Sequence, residues 1–355
     1  MHINSKLDQS VLDLDYQGAE EAFVRFIHMD DLDNVIRLNP DLLDNFEEMV
    51  NCALVNAYSN DACCPRSHLF LQRILYHIYR LKLFWFDDLS NYDNETSSCL
   101  FAIRLKIEKK WATWEKSHVE LRNLNSLKID QVLTKKVEED LNVLPSEEGL
   151  FFKNEISLAG YQRLLAITSL DGLVEASQLS RVLGGVGNEV QLTLLKILWE
   201  EYGSGKLARK HSSHFIQMLK TLNMDTKPEA YLDLVPWEVL ANINHSFLLS
   251  EYKQHYLRYV GGLLYVEVSA PLAFQSYKDA GKRLGLGEEC TSYWDLHIKE
   301  DIRHGQWMLQ DVALPLLKQY EDQAWQLLLG YNQQKFISAR ALKAIIESIR
   351  ELGNY

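Results

Sequence analysis

Apolar residues recur every three to four positions along most of the chain, which is the spacing of amphipathic helices. In the N-terminal part this pattern runs from Gly18 to about Ser59 and is interrupted at Asn39-Pro40. A strongly apolar helix is predicted from about His68 to Phe86, and a charged amphipathic helix from Leu100 to about Leu124. Alternating patterns typical of strands are scarce. The sequence therefore predicts an all-α protein.

A charged stretch at residues 125–150 contains Pro145 and Gly149, and it divides the helical pattern in two. We take it as the boundary between an N-terminal helical region, residues 1–145, and a C-terminal domain, residues 146–355. Residues 1–15 are expected to form a loose leader, and residues 61–67 a connector. The helices predicted in the C-terminal domain cover about Ser157–Leu183, Glu189–Tyr202, His211–Leu222, Pro236–Leu249, Lys253–Val268, Leu272–Leu284, a segment around His297, Asp311–Tyr331 and Ser338–Leu352.

Composition and charge exclude several classes of function. The chain has 355 residues, is 47% hydrophobic and carries a net charge of −12 without a long basic tract. This balance argues against nucleic-acid binding and against adhesion to anionic membranes. We expect no signal peptide and no membrane span. The odd number of cysteines, 5, without paired CxxC motifs indicates reduced thiols and a cytoplasmic protein.

The most informative stretch contains His297, Asp301 and His304 at positions i, i+4 and i+7. On a helix these residues fall within about 60° of one another, and they span roughly 10 Å along the axis. That length suits two metal ions side by side. Imidazole with carboxylate is a ligand set for iron, manganese or zinc. The competing interpretation is a surface helix with two solvated histidines.

The other residues of this stretch are expected to leave the ligand face free. Ile298 and Ile302 should give the helix an apolar side beside that face. Lys299, Glu300 and Arg303 are expected to point elsewhere.

Two segments upstream offer further ligands. Glu201 and His211 would lie roughly 15 Å apart on an unbroken helix, but the Gly203-Ser204-Gly205 segment between them can turn the chain back. Glu267 is a lone acid in an apolar helix, where a carboxylate needs a partner or a metal. An ordinary glycine helix end and a structural ion pair are the alternatives. Three helices would together supply Glu201, His211, Glu267, His297, Asp301 and His304, a set that suits a dinuclear site.

This ordered set resembles the haem-oxygenase-like diiron oxidases, the iron-containing redox enzyme family. The family pattern is a Glu in a Glu-Tyr-Gly-x-Gly context, a His ten residues on, a Glu on a second helix, and His-x3-Asp-x2-His on a third. All six positions are filled here, and the resemblance covers about residues 150–355. Some family members have a further carboxylate ligand about one helix before the first Glu. Glu175 lies 26 residues before Glu201 and matches it, with Asp171 and Glu189 as rivals.

The resemblance implies a haem-oxygenase-like bundle of seven helices that binds no haem, preceded here by the N-terminal helical region. It implies two Fe(II) ions as cofactors, with manganese as an alternative, and O2 as co-substrate. The small-molecule substrate would undergo N-oxygenation of an amine or guanidine, oxidative fragmentation of an amino acid, or decarboxylation of a fatty acid. An external electron donor would then be a further partner.

Other interpretations compete with this one. Glu115 and His118 form an ExxH, the spacing of ferritin-like diiron proteins, but the sequence has no second copy. His214 lies one turn after His211 and could replace it. A cofactor-independent relative of the same fold would not need all six ligands. A non-catalytic helical binding protein, with an oligomeric scaffold built on residues 18–124, predicts no stoichiometric iron. The apolar N-terminal helices are consistent with a homodimer.

Overall fold

The computed structural model describes residues 14–59, 64–83, 88–119, 128–144, 146–185 and 187–353, and every regular element in these ranges is helical. The prediction of an all-α protein is therefore confirmed. None of the helices in the described ranges is both long enough and apolar enough to span a membrane. The expected leader, residues 1–15, falls almost entirely outside the described residues. Part of the 61–67 connector and the predicted helix ends at Phe86 and Leu124 also lie outside them.

The chain forms two compact units, Met1–His118 and Val119–Tyr355. The boundary lies before the one that composition predicts at 145/146. The reason is the helix Ile129–Leu141, whose Ile129, Leu133 and Val137 are buried in the core of the second unit. Most residues of this helix are polar or charged, so composition alone does not reveal the one stripe of apolar residues that packs against the second unit.

The first unit is built from aromatic helix contacts. Phe23 and Phe46 stack with ring centroids 4.8 Å apart, and Phe70 packs edge-on against Phe46 at 6.2 Å. Leu71 and Ile74 are fully buried beside them. The helices of this unit are α1 (Tyr16–Ile27), α2 (Leu32–Leu38), α3 (Asp44–Tyr58), α4 (Pro65–Arg80) and α5 (Ser98–Ser117).

The second unit is organised around one long helix, Tyr256–Arg283, which packs against the helices Ser292–Trp307 and Ala324–Glu351. Its contact with Ala324–Glu351 is close enough to require glycine: a Cβ on Gly261 would lie 2.0 Å from the Leu327 carbonyl oxygen. The helices of this unit are α6 (Ile129–Leu141), α7 (Glu147–Asn154), α8 (Leu158–Gly172), α9 (Ser177–Ser180), α10 (Glu189–Glu201), α11 (His211–Thr221), α12 (Trp237–Glu251), α13 (Tyr256–Arg283), α14 (Ser292–Trp307), α15 (Leu314–Gln319) and α16 (Ala324–Glu351), with a π-helical segment at Met308–Ala313 after α14.

Three predicted helix boundaries are wrong. The helix predicted over Ser157–Leu183 ends at Gly172, and the chain turns through Ala176, which has a φ of 63°. Pro271 does not end a helix but lies inside α13, which is held on both sides by α14 and α16. The last two helices were predicted to be separated between Tyr331 and Ser338. The break lies instead at Tyr320, and α16 continues through the predicted gap without interruption. At Pro271, packing between helices overrides the local preference of the sequence.

Candidate metal centre

A glycine turn brings Glu201 and His211 together. α10 ends at Glu201, and the next residues Gly203, Ser204 and Gly205 all have positive φ values, of 63°, 53° and 78°. α11 then begins at His211, whose Nδ1 lies 2.8 Å from Glu201 Oε2. An unbroken helix would have separated the two by about 15 Å. The turn is therefore what allows both side chains to serve one site.

The i, i+4, i+7 residues of α14 occupy one buried face, as their spacing predicts. His297, Asp301 and His304 are 7%, 3% and 0% exposed. The neighbouring α13 contributes Glu267, which is 7% exposed. The surface-helix interpretation is therefore wrong for these residues. Ile302, expected on an apolar side, is instead 53% exposed.

The side chains form two groups of ligand-type atoms that share Glu201. In the first group, His211 Nδ1 lies 3.0 Å from His297 Nε2 and 3.5 Å from Glu175 Oε1. The remaining member, Glu201, contributes Oε2.

The second group consists of Glu201, Glu267 and His304, whose Nδ1 lies 3.5 Å from Glu201 Oε1 and 3.4 Å from Glu267 Oε2. Asp301 lies beside this group, with its Oδ1 3.9 Å from His304 Nδ1. Each oxygen of Glu201 thus faces a different group. The geometry can hold two cations side by side with Glu201 between them.

Glu175, and not its rivals, joins the first group. It follows the helix break at Gly172, and its Oε2 accepts a hydrogen bond from the Tyr293 hydroxyl. Asp171 lines the cavity beside the group, and Glu189 lies at the exposed start of α10.

The remaining alternatives lie elsewhere. His214 Nδ1 is 3.4 Å from Ser292 Oγ, outside both groups. In the ExxH motif, Glu115 accepts a hydrogen bond from Trp111 Nε1, while His118 Nδ1 contacts the Trp114 carbonyl oxygen.

In His211 and His304, the outer ring nitrogen, the one that points away from the ligand groups, contacts a carboxylate that the sequence did not assign to the site. His211 Nε2 lies 2.9 Å from Glu300 Oε2, so the expectation that Glu300 points away was wrong. His304 Nε2 lies 2.9 Å from Glu200 Oε2, which also pairs with Arg303 at 2.6 Å.

His297 Nδ1 contacts the Tyr293 carbonyl oxygen at 2.9 Å. Glu200, Glu300 and His304 also form a group of their own by distance. The Arg303 charge on Glu200 favours its role as an acceptor that orients the imidazole.

The carboxylates repel one another in the buried site. Burial raises the pKa of Glu175 and Asp301 well above their usual values, and the charge on Glu201 raises them further. Burial also raises the pKa of Glu267. For Glu201 burial acts in the same direction, but the His211 hydrogen bond and the neighbouring histidines hold its pKa below the usual value. Four carboxylates in one cluster call for positive charge between them.

Two of the histidines hold protons tightly. Burial lowers the pKa of His211, but contacts with Glu201 and Glu300 outweigh it and raise the pKa to about 11. Burial also lowers the pKa of His304, but the contact with Glu267 outweighs burial and raises the pKa to about 9. Burial and the adjacent His211 lower the pKa of His297 to about 4. A cation that binds between these groups must displace the protons of His211 and His304.

The residues present fit a metal pair. Glu175 Oε1 and His304 Nδ1 are buried and have no hydrogen-bond partner among the described residues. Each faces its group at 3.4 to 3.6 Å from neighbouring ligand atoms. Such separations suit atoms that each lie about 2.0–2.2 Å from a shared ion. Nitrogen and carboxylate donors without thiolate suit iron or manganese.

A cavity of about 210 Å³ adjoins both groups and reaches between α8, α12, α13 and α16. Glu175, Glu201, Glu267, His297 and Asp301 all contribute to its wall. Much of the remaining wall is apolar, so the cavity can hold a small organic molecule against the cluster.

Comparison with known proteins places this geometry in a family. Residues 162–333 match the family model described as iron-containing redox enzyme, and both ligand groups lie within that range. A nitrosourea synthase from Streptomyces achromogenes subsp. streptozoticus is 31% identical over 160 residues. That match covers 43% of this chain and 32% of the relative, so the chain spans about a third of the relative's length. Over residues 162–333, just under half of the chain, the protein is therefore similar to the iron-containing redox enzyme family.

Proposed function

We propose that this protein binds two Fe(II) ions and uses O2 to oxidise a small organic molecule in the adjoining cavity. The observation that carries the proposal is the sharing of Glu201 by two buried groups of ligand-type atoms. One group would be Glu175, Glu201, His211 and His297, and the other Glu201, Glu267, Asp301 and His304. The match of residues 162–333 to the iron-containing redox enzyme family supports an iron-dependent oxidoreductase.

The protein's own residues would position the ions and exclude water. Two bound Fe(II) ions would supply electrons to activate O2. Glu200 and Glu300 hold the outer nitrogens of His304 and His211, so that the inner nitrogens face the site. The buried walls around Glu267 and His304 keep bulk water from the cluster. Manganese in place of iron is compatible with the same donors, and an external electron donor would be needed if the organic substrate does not supply all the electrons.

We favour N-oxygenation of an amine or guanidine as the reaction. The relative is named for a nitrosourea, a compound with a nitroso group on nitrogen, and it therefore makes a product with oxidised nitrogen. Oxidative cleavage of an amino-acid-like substrate is the neighbouring reaction class. The homodimer that the N-terminal helices suggest, and a cytoplasmic location, remain predictions from the sequence.

The test is an anaerobic Fe(II) titration of the metal-free protein, with bound iron quantified after desalting. About two irons per chain are expected, and fewer in Glu201→Gln and His304→Ala. The matched control is His214→Ala, which removes a nearby histidine outside both groups and should leave iron binding unchanged.

The second step is to mix the iron-loaded protein with O2 and record O2 uptake and visible absorption. Uptake that depends on the bound iron supports the oxidase. Iron that does not bind stoichiometrically, or that binds equally well to both ligand variants, would refute the proposal and favour a helical binding protein.

A further inference from the structure

We propose that the cavity beside the ligand groups binds a small cation, an ammonium or guanidinium group, and that the carboxylate of Asp171 is its counterion. This assignment rests on the proposed oxidase function, because it concerns the substrate of that same site. It adds a specificity-determining residue that does not belong to either ligand group.

The charges of the cavity wall are one-sided. Its acidic members are Asp171, Glu175, Glu201, Glu267 and Asp301, and none of the described residues that line it is a lysine or an arginine. Two divalent ions would balance four of these carboxylates, those of the ligand groups. Asp171 would then be the carboxylate of the wall that lacks a countercharge, and an uncompensated charge away from bulk water is costly.

Asp171 is accessible in an otherwise enclosed place. Burial raises the pKa of its carboxyl, although Gln178 hydrogen-bonds to it, so the group lies among packed protein. Its side chain nevertheless counts among the exposed ones. Asp171 is also one of the residues that line the cavity. A bound molecule could therefore reach the carboxylate directly.

The position of Asp171 places a bound cation near the ligand groups. Asp171 is the penultimate residue of α8, four positions before Glu175. The negative charge of Asp171 adds to the effect of burial in raising the pKa of both Glu175 and Tyr293. A guanidinium or ammonium paired with Asp171 would thus have its nitrogen close to the site where O2 is used.

The rest of the wall is suited to a short carbon chain with polar groups. Ile243, Leu249 and Leu263 contribute apolar surface, and Asn242 and Gln334 contribute amides that are hydrogen-bonded to each other at 2.7 Å. A fatty-acid carboxylate would add a negative charge beside Asp171 without a basic partner. The cavity therefore favours a cationic over an anionic substrate.

The test compares two probes of nearly the same shape and different charge. Butylguanidinium is a cation, and butylurea is its neutral counterpart. Binding of each is measured by titration calorimetry on the Fe(II)-loaded protein without O2, so that no reaction occurs. We expect butylguanidinium to bind about 10- to 100-fold more tightly, the factor of a charge-assisted hydrogen bond.

Two variants assign the preference to a residue. Asp171→Asn keeps the shape and removes the charge, and it should reduce the preference to less than about threefold while two irons per chain still bind. Glu189→Gln, the same kind of change at the exposed start of α10, should leave the preference intact. Equal binding of the two probes by the unmodified protein, or an undiminished preference in Asp171→Asn, overturns the assignment. The first comparison requires no variant and therefore holds even if Asp171→Asn does not fold.

The same samples separate this inference from the proposed function. Two irons and iron-dependent O2 uptake without a preference for the cation would overturn the cation-binding cavity and the role of Asp171, but not the oxidase. Absence of iron binding would overturn the oxidase, and with it the assignment of the cation as a substrate.

Discussion

The crossing of α13 and α16 gives a sharp prediction about what holds α13, the helix that carries Glu267, in place. Gly261 of α13 and Gly330 of α16 each lie against the backbone of the other helix. A Cβ on Gly261 would lie 2.0 Å from the Leu327 carbonyl oxygen, and a Cβ on Gly330 would lie 2.0 Å from the Arg258 carbonyl oxygen. We therefore predict that Gly261→Ala destabilises the second unit. Gly262→Ala, at the next position of the same helix, is the matched control.

The two substitutions share one effect and differ in another. Both replace glycine inside a helix, which alone should stabilise by about 0.5–1 kcal/mol. The nearest atoms to a Cβ on Gly262 all belong to the Gln334 side chain, at 3.4 to 3.9 Å, which is ordinary van der Waals contact. A Cβ on Gly261 would meet backbone, so the helices must separate by about 1 Å or more, and such overpacking costs roughly 1–3 kcal/mol or more. The gain from replacing glycine is common to both, so we expect Gly261→Ala to be less stable than Gly262→Ala by the overpacking cost, about 1–3 kcal/mol or more.

Urea denaturation of both variants beside the unmodified protein measures this difference. The midpoint should fall for Gly261→Ala with an unchanged slope, and hold or rise slightly for Gly262→Ala. Iron stoichiometry adds a second measurement, because α13 carries Glu267. Equal midpoints for the two variants would refute the reasoning that the backbone contact sets the distance between the helices.

Three further predictions concern the site and the first unit. Gly203→Ala should reduce iron binding and cost about 1–3 kcal/mol, since its φ is 63° and a Cβ would lie 2.4 Å from the Lys210 amide nitrogen. Glu200→Ala should weaken metal affinity by about 10- to 100-fold, because it removes the acceptor that orients His304. At Asp33, burial raises the pKa, but hydrogen bonds from the start of α5 outweigh burial and lower the pKa to about 2. Because the pKa of Asp33 is lower in the folded than in the unfolded state, Asp33→Asn should reduce the free energy of unfolding at neutral pH by about 1 kcal/mol, a small value because the group is near solvent. This loss should disappear as the pH falls from about 4 to 2.

The first two of these have a control in the same chain. Gly187→Ala adds a Cβ 3.9 Å from the nearest side chain and should not affect iron binding. Glu189→Ala removes an acid from the far end of α10 and should leave metal affinity unchanged. Metal titrations with equal affinities for Glu200→Ala and Glu189→Ala would contradict the orienting role. A stability difference for Asp33→Asn that persists at pH 2 would contradict the linkage to ionisation.

Local sequence determined much of the candidate site. The i, i+4, i+7 spacing placed His297, Asp301 and His304 on one face, because helix geometry fixes which residues share a side. Glycines at 203 and 205 indicated a turn, since they adopt positive φ without steric cost. The lone acid in an apolar helix marked Glu267, because a buried carboxylate needs compensation.

Only the tertiary structure decided between equivalent local signals. Asp171, Glu175 and Glu189 are all acids upstream of Glu201, and the helix break after Gly172 selected Glu175 for the ligand group and left Asp171 in the cavity wall. Pro271 reads as a helix end, yet packing carries α13 through it.

The partnerships of Glu200 with His304 and of Glu300 with His211 each join residues about 90 to 100 positions apart. Periodicity describes one helix at a time. Which side chains of different helices meet depends on how closely their backbones approach, and that is set by the packing of all of them together.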